Sequence, residues 1–254
     1  MINAALLVCF FVTALVYSIA GLGGGSTYLA LLALFAVPYP VMPRVALLCN
    51  LVVVSGGCWH FFRAGHFSFR RVAPFVLTSI PMATWGGCIP IGTTLFTLLL
   101  GISLLIAALR MFLSDRSFES KTVISGRELW MIGLPVGALL GFLSGLVGIG
   151  GGIYLAPLLL FLGWADAKQT AAASSFFILV NSLAGLAGQM TKGPFLSVAG
   201  LVHGQPLLLL LLAVWLGGQI GSRIGAHKLP KLELQRVTAT LILLVAVRLL
   251  WRLV

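Results

Sequence analysis

Two glycine runs carry the most specific chemistry in this sequence. The run GLGGG at Gly21–Gly25 recurs 127 residues later as GIGGG at Gly148–Gly152, and each run precedes a short apolar segment. Glycine lets the main chain approach a ligand closely, and the first turn of a helix has free N–H groups and a partial positive charge. Two such helix starts could hold a small anion through backbone amides. Close helix packing is the alternative, and duplication before two short segments favours a binding site.

Polar side chains at membrane depth could complete this site. Asn50 and Asn181 match at an offset of 131 residues and could donate to an oxyanion, although interhelical hydrogen bonding explains either one equally well. An offset of 125 would instead match Cys49 and Asn50 with Ser174 and Ser175. The two serines could also bond carbonyls one turn earlier in their own helix. The predicted substrate-binding residues are Gly23, Gly24, Gly25, Ser26, Asn50, Gly150, Gly151, Gly152, Ser174, Ser175 and Asn181.

Titratable groups are scarce within the apolar stretches. His60 is the only one near mid-span that could change charge near neutral pH, so it is a candidate for proton coupling, although a histidine near a helix end is more often interfacial. The five carboxylates fall in loops or at segment ends: Asp115, Glu119, Glu128, Asp166 and Glu233. A buried carboxylate that could bind a cation is therefore not evident. We expect an anionic ligand, no metal and no cofactor.

The sequence argues against an enzyme. A nucleophile, a base and an orienting group do not stand together anywhere along the chain. The phosphate-binding pattern Gly-x4-Gly-Lys-Ser/Thr is missing too, so ATP is not expected to drive a process from this chain alone.

The composition indicates an integral membrane protein. Of the 254 residues, 60% are hydrophobic and 8% are charged, with a mean hydropathy of +1.12, which leaves too little polar surface for a water-soluble globule. Eight apolar stretches are long enough to cross about 30 Å of hydrocarbon: Ile2–Ala20, Val45–Phe62, Val72–Ile89, Thr94–Leu113, Leu129–Val147, Thr170–Met190, Pro206–Ile224 and Val237–Leu253. Ser26–Val37 and Ile153–Gly163 have only 12 and 11 residues and would reach about halfway.

The fold class that follows is an all-α polytopic membrane protein built from two repeats. Residues 1–113 form the first repeat, residues 114–128 a polar cytoplasmic linker, and residues 129–254 the second repeat. Each repeat has a glycine-broken half-helix pair plus three spanning helices. We expect the first stretch to be an uncleaved part of the fold, because Thr13–Ala20 precedes the first glycine run as Leu139–Val147 precedes the second.

The basic residues predict that the repeats are inverted. If the first long segment and the half-helix of each repeat carry the chain in and back out, one face holds twelve of the sixteen basic residues. These are Arg63, Arg70, Arg71, Arg110, Arg116, Lys121, Arg127, Lys168, Arg223, Lys228, Lys231 and Arg236. Short basic loops are cytoplasmic in such proteins. We therefore expect the bacterial inner membrane, with both termini periplasmic and a midplane site between inverted repeats.

The net charge of +11 fits cytoplasmic loops that contact anionic lipid headgroups, and attraction of an anionic substrate is the second explanation. Long Lys/Arg runs of the nucleic-acid-binding type are missing, so we expect lipid and a small anion as partners and no nucleic acid. The four cysteines lie in apolar stretches and are expected to be buried thiols.

Longer motifs surround both glycine runs. The second half has GLVGIGGGIYLAPLLLFLGW followed by QTAAASSFFILVNSLAGLAG, and the first half has the weaker copy AGLGGGSTYLALLALF with GHFSFRRVAPF and GCIPIG. These motifs resemble the TauE/SafE family of bacterial membrane proteins along essentially the whole chain. In the first copy Ala30 replaces the proline found at Pro157 in the second.

The resemblance implies transport of sulfite or of sulfur-containing organic anions such as sulfoacetate, with some members exporting and others importing. We therefore expect a secondary transporter for sulfite, thiosulfate or an organosulfonate that works by alternating access. A passive anion channel is the alternative, since the same helix starts would guide anions through a pore.

Overall fold

Most residues that the computed structural model describes are helical; it describes residues 4–35, 37, 41–89, 105, 109, 126–192 and 207–251. The first half contains α1 (Ala4–Ile19), α2 (Gly25–Leu34), α3 (Met42–Arg63) and α4 (Phe69–Cys88). The second half contains α5 (Gly126–Val147), α6 (Gly152–Phe161), α7 (Ala167–Met190), α8 (Leu207–Arg223) and α9 (Lys231–Trp251), with a π turn at Ile224–Lys228 after α8.

Four of these helices are long and apolar enough to cross a membrane: Met42–Arg63, Gly126–Val147, Ala167–Met190 and Leu207–Lys228. They coincide with four of the predicted spans. The stretches predicted at Ile2–Ala20, Val72–Ile89 and Val237–Leu253 correspond to α1, α4 and α9. The stretch Thr94–Leu113 lies outside the described residues except for Leu105 and Leu109.

The outer surface of the helices supports a membrane location. Large apolar side chains are exposed around the molecule, and Trp251, Leu208, Met131 and Leu77 are each more than 60% exposed. Exposed apolar side chains on this scale mark a surface that contacts lipid or protein rather than water. The protein is a multi-pass membrane protein.

The two half-length helices appear where the sequence places them. Both α2 and α6 have 10 residues, and at about 1.5 Å per residue each is roughly 15 Å long. Each begins at the last glycine of its run, one residue before the predicted start.

Glycines allow the longer helices to pack backbone to backbone. Glycines spaced four residues apart on α5 face residues of α4, and the pairs are Gly133 with Pro74, Gly137 with Phe75, Gly141 with Ser79 and Gly145 with Ala83. The residue numbers rise together along both helices, so α4 and α5 run parallel. Along α8, the pairs are Gly217 with Phe11 and Gly221 with Leu15, and Gly225 in the π turn meets Ile19. Small residues at this spacing let membrane helices approach closely, so α4 packs on α5 and α1 packs on α8.

Helices α3 and α7 cross at the centre in opposite directions. Near the start of α3, Arg44 Nε donates to the Gln189 carbonyl near the end of α7, at 3.2 Å. Toward the end of α3, a Cβ at Gly57 would lie 2.8 Å from Ser175 Oγ, near the start of α7. The start of α3 therefore contacts the end of α7 and the end of α3 contacts the first half of α7, so the two helices are antiparallel. Their middle turns lie beside the glycine runs.

Candidate functional site

The two glycine runs share an unusual backbone conformation. Gly21 and Gly24 have positive φ angles of 71° and 85°, and their counterparts Gly148 and Gly151 have φ angles of 79° and 76°. Residues with a Cβ rarely adopt this left-handed region. The repeat at an offset of 127 residues is therefore a repeat of backbone geometry at these two positions, which explains why α2 and α6 begin at equivalent places. The runs differ at the third glycine, since Gly150 has a positive φ of 86° and Gly23 does not.

Asn50 joins the two runs in the interior. Its Nδ2 donates to the Ile149 carbonyl of the second run at 2.9 Å. A Cβ at Gly25 would lie 2.7 Å from Nδ2, and one at Gly150 would lie 2.9 Å from it. Because the carbonyl of Ile149 only accepts hydrogen bonds, it fixes the orientation of the Asn50 amide. Asn50 is fully buried; its hydrogen bond ties the second run to the middle of α3, and its amide packs against Gly25 of the first run.

Buried hydroxyls surround the runs without hydrogen-bond partners in the described part of the chain. Ser182 Oγ would lie 2.8 Å from a Cβ at Gly150, and Ser144 Oγ 3.3 Å from a Cβ at Gly151. Both hydroxyls lack a partner, as does Ser174 Oγ. A buried hydroxyl that makes no hydrogen bond costs about 1–3 kcal/mol. These groups are therefore suited to donate to a ligand that is a strong acceptor.

Ser144 and Ser182 were not among the predicted site residues. The helical spacing could have identified Ser182, because residues four apart share a face and Ser174, Ile178 and Ser182 are four apart. Ile178 is the residue that a Cβ at Gly152 would meet, at 2.5 Å from Cδ1. Ser182 therefore lies on the face of α7 that touches the second run.

A small enclosed space lies against the first run. This glycine cavity has a volume of about 10 Å³, room for about one water molecule, and its walls include Tyr17, Gly23–Gly25, Ser26 and Ile149. Its lining joins residues from both glycine runs, so a ligand there would touch both halves of the chain.

The other predicted residues have different surroundings. Ser175 Oγ donates to the Gly21 carbonyl at 3.0 Å, so it holds the start of the first run. Asn181 Nδ2 donates to the Phe177 carbonyl of its own helix at 2.9 Å, while its Oδ1 is buried without a partner among the described residues. His60 lies near the end of α3, where its Nε2 is 3.1 Å from Gln219 Oε1. A role for His60 in proton coupling stays a prediction.

Within the described ranges, no three His, Cys, Asp or Glu side chains lie close enough to hold a metal ion. The polar groups beside the runs are the Asn50 amide and serine hydroxyls, and apolar side chains such as Ile178, Phe177 and Tyr28 pack against the same glycines.

Comparison with known proteins places the chain in a family of membrane transporters. The family described as "Sulfite exporter TauE/SafE" matches residues 6–249. The chain belongs to the TauE/SafE family. The resemblance found in the sequence motifs is thereby confirmed.

Relatives of this TauE/SafE protein occur in bacteria and in a plant. A probable membrane transporter protein, y4hK of Sinorhizobium fredii, is 34% identical over 247 residues, which cover 97% of each chain. The probable membrane transporter protein YunE of Bacillus subtilis is 30% identical over 44% of this chain and 39% of its own. The Sulfite exporter TauE/SafE family protein 1 of Arabidopsis thaliana is 47% identical over 70 residues, 27% of this chain and 15% of its own. No solved structure matches the chain.

Replacing Gly151 with alanine is expected to destabilise this TauE/SafE protein more than the same change at Gly65. Both glycines have a similar φ, 76° and 75°, so alanine should cost about 1–2 kcal/mol of backbone strain at either position. A Cβ at Gly151 would also lie 2.9 Å from Phe177 Cε1, whereas at Gly65 it meets nothing within 4 Å. Crowding adds about 1–3 kcal/mol. Thermal unfolding of both purified variants measures the difference, and equal shifts in Tm would contradict the tight packing of the run.

Proposed function

We propose that this protein is a secondary transporter that moves a small sulfur-containing anion across the bacterial inner membrane by alternating access. Sulfite, thiosulfate and organosulfonates such as sulfoacetate are the candidate substrates. The main support is the meeting of two glycine-started half-helices at Asn50, beside buried hydroxyls without partners among the described residues.

The chemistry of the region favours an anion. Helix starts carry a partial positive charge of about +0.5 each, and serine hydroxyls can donate to oxyanion oxygens. The carboxylates in the described part of the chain lie at helix ends: Glu128 in the first turn of α5, Asp166 at the cap of α7 and Glu233 in the first turn of α9. An oxyanion at the runs would gain donors without meeting a fixed negative charge from these groups.

Sulfite is the first substrate to test. The family description and the name of the Arabidopsis relative both specify a sulfite exporter. Sulfite has three oxygens that accept hydrogen bonds, which suits a site made of several hydroxyls and backbone amides.

We infer that the two halves are inverted repeats, with the cytoplasmic linker at 114–128 between them. Helices α3 and α7 each follow a half-helix, and their antiparallel crossing is the arrangement that inversion requires. A site at the crossing could then open to either side if the halves rock against each other. The charge bias puts both termini in the periplasm.

Thiol labelling tests this topology. In a cysteine-free background, Ser120→Cys should react with a membrane-impermeant maleimide only after the cells are opened, because residue 120 lies in the cytoplasmic linker. A cysteine added after Val254 should react in intact cells. Labelling of residue 120 in intact cells would overturn the inverted arrangement.

Transport by purified protein tests the function. In proteoliposomes, uptake of radiolabelled sulfite should saturate and should be stimulated by unlabelled sulfite inside the vesicles, because a carrier exchanges substrate through one alternating site. Protein-free liposomes and sulfate are the controls. Uptake that rises linearly with concentration and shows no counterflow would favour a passive anion channel, and absence of sulfite, thiosulfate and sulfoacetate uptake would reject the proposal.

A further inference from the structure

A second cavity lies next to the glycine cavity and shares one wall with it. It has a volume of about 430 Å³, is open to the outside of the protein and lies between α1, α2 and α9, with Val16, Tyr17, Thr27, Leu244 and Arg248 in its lining. Tyr17 also lines the glycine cavity. The Tyr17 side chain is therefore part of the wall between the two cavities.

The larger cavity contains a cation that points toward the first glycine run. Arg248 Nη1 lies 3.5 Å from the carbonyl oxygen of Ser26, the residue after Gly25. An arginine near the end of an apolar helix usually extends to the headgroups, and charged groups within membrane segments usually mark a substrate path. The planar guanidinium binds oxyanions through paired hydrogen bonds. Arg248 thus provides the charge that this cavity needs to attract an anion.

A hydrogen bond closes the wall between the two cavities. Thr27 Oγ1 donates to Tyr17 Oη at 2.8 Å, which links α2 to α1. Both residues line the larger cavity, and Thr27 follows Ser26 of the glycine cavity. The Tyr17 side chain is thus held against α2 at the boundary between the two cavities.

We propose that Arg248, Tyr17 and Thr27 form an anion-binding vestibule, and that the Tyr17–Thr27 hydrogen bond is the partition between this vestibule and the glycine cavity. The identity of the anion rests on the proposed function, while the vestibule itself rests on the cavity and on Arg248. The oxyanion binds first to the guanidinium and then passes Tyr17 to the glycine run.

Charged thiol reagents test the vestibule without relying on transport. The protein would carry Val16→Cys, with Cys9, Cys49, Cys58 and Cys88 replaced by alanine. The rate of modification by anionic sulfonatoethyl methanethiosulfonate is divided by the rate for its cationic trimethylammonioethyl analogue. Arg248→Gln should lower this ratio about tenfold, because it removes the local positive charge. Arg236→Gln is the matched control, since Arg236 is exposed on the same helix outside the cavity, and it should leave the ratio unchanged.

Sulfite transport provides the second measurement. Arg248→Gln should raise the KM for sulfite at least tenfold with kcat within about threefold, and Arg248→Lys should recover part of the loss. If the cysteine at position 16 does not react, or if Arg248→Gln leaves the ratio unchanged, the vestibule proposal is wrong. An unchanged ratio together with a lower Tm would mean that Arg248 only stabilises the fold through its contact with the Ser26 carbonyl. A lowered ratio in a protein that transports no sulfur anion would support the vestibule and reject the proposed substrate.

Discussion

The double replacement Ser144→Ala and Ser182→Ala is expected to reduce sulfite affinity more than 100-fold without lowering Tm. Both serines are fully buried beside the second glycine run, and neither hydroxyl has a partner in the described ranges. A hydrogen bond to a charged ligand contributes about 1.5–3 kcal/mol. Two such bonds would contribute about 3–6 kcal/mol, which corresponds to at least 100-fold in affinity.

The expectation that the double variant keeps its Tm has a separate physical cause. A buried hydroxyl without a partner lowers stability by about 1–3 kcal/mol, and replacement by alanine removes that cost. The ligand-free variant should therefore unfold at the same temperature as the original protein or higher. A gain in stability with a loss of binding is typical of polar groups that are kept for function.

Ser222→Ala is the matched control. Ser222 is also fully buried, but its Oγ donates to the Gly218 carbonyl of its own helix at 2.7 Å. Its replacement should leave sulfite affinity unchanged. Binding is measured by calorimetry and unfolding by a thermal scan on the same samples. If the double variant binds sulfite normally, the two hydroxyls do not contact the substrate.

The half-helices could be predicted from the sequence because their signals are local. Each predicted start, Ser26 and Ile153, is within one residue of the observed start. The cause is the glycine just before each helix, Gly24 or Gly151, whose positive φ stops any regular helix from continuing through the run. The glycines and the short apolar segments after them are visible in the sequence, so the helix starts can be predicted without knowing how the helices pack.

The start of α7 was predicted three residues late. Hydropathy placed it at Thr170, whereas the helix begins at Ala167. Asp166 caps the helix, with its Oδ1 accepting from Gln169 N at 2.9 Å, while Gln169 Oε1 accepts from Asp166 N at 3.3 Å. This capping box consists of polar residues, which a hydropathy window excludes, although the spacing itself is visible in the sequence.

The partners of the glycine runs could not be found by matching the repeats. Sequence matching pairs Asn50 with Asn181, yet the Asn50 amide reaches Ile149, 99 residues away, and the Asn181 amide stays within its own helix. Which asparagine faces the runs depends on the rotation of α3 and α7 about their axes. That rotation is set by packing against the neighbouring helices, which is a long-range property that no local pattern contains.

Asn50→Asp is expected to abolish sulfite binding, whereas Asn50→Leu should only weaken it. Both changes remove the donor to the Ile149 carbonyl, and the aspartate also places a negative charge between the two runs. At about 4 Å and an effective dielectric constant near 20, repulsion between two unit charges is about 4 kcal/mol. The aspartate variant should therefore bind sulfite roughly 1000-fold more weakly than the leucine variant.

This pair of variants reports the sign of the ligand's charge. If the runs bound a cation instead, the aspartate would attract it, and Asn50→Asp would bind that cation more tightly than the unmodified protein does. Sulfite and sodium titrations of both folded variants, followed by their shifts in Tm, distinguish the two outcomes. Equal sulfite affinity in the aspartate and leucine variants, or stabilisation of the aspartate variant by sodium beyond that of the original protein, would contradict an anion at the glycine runs. The leucine variant is the matched control, because both variants lose the hydrogen bond to the Ile149 carbonyl. The difference between their sulfite affinities therefore reports the effect of the added charge.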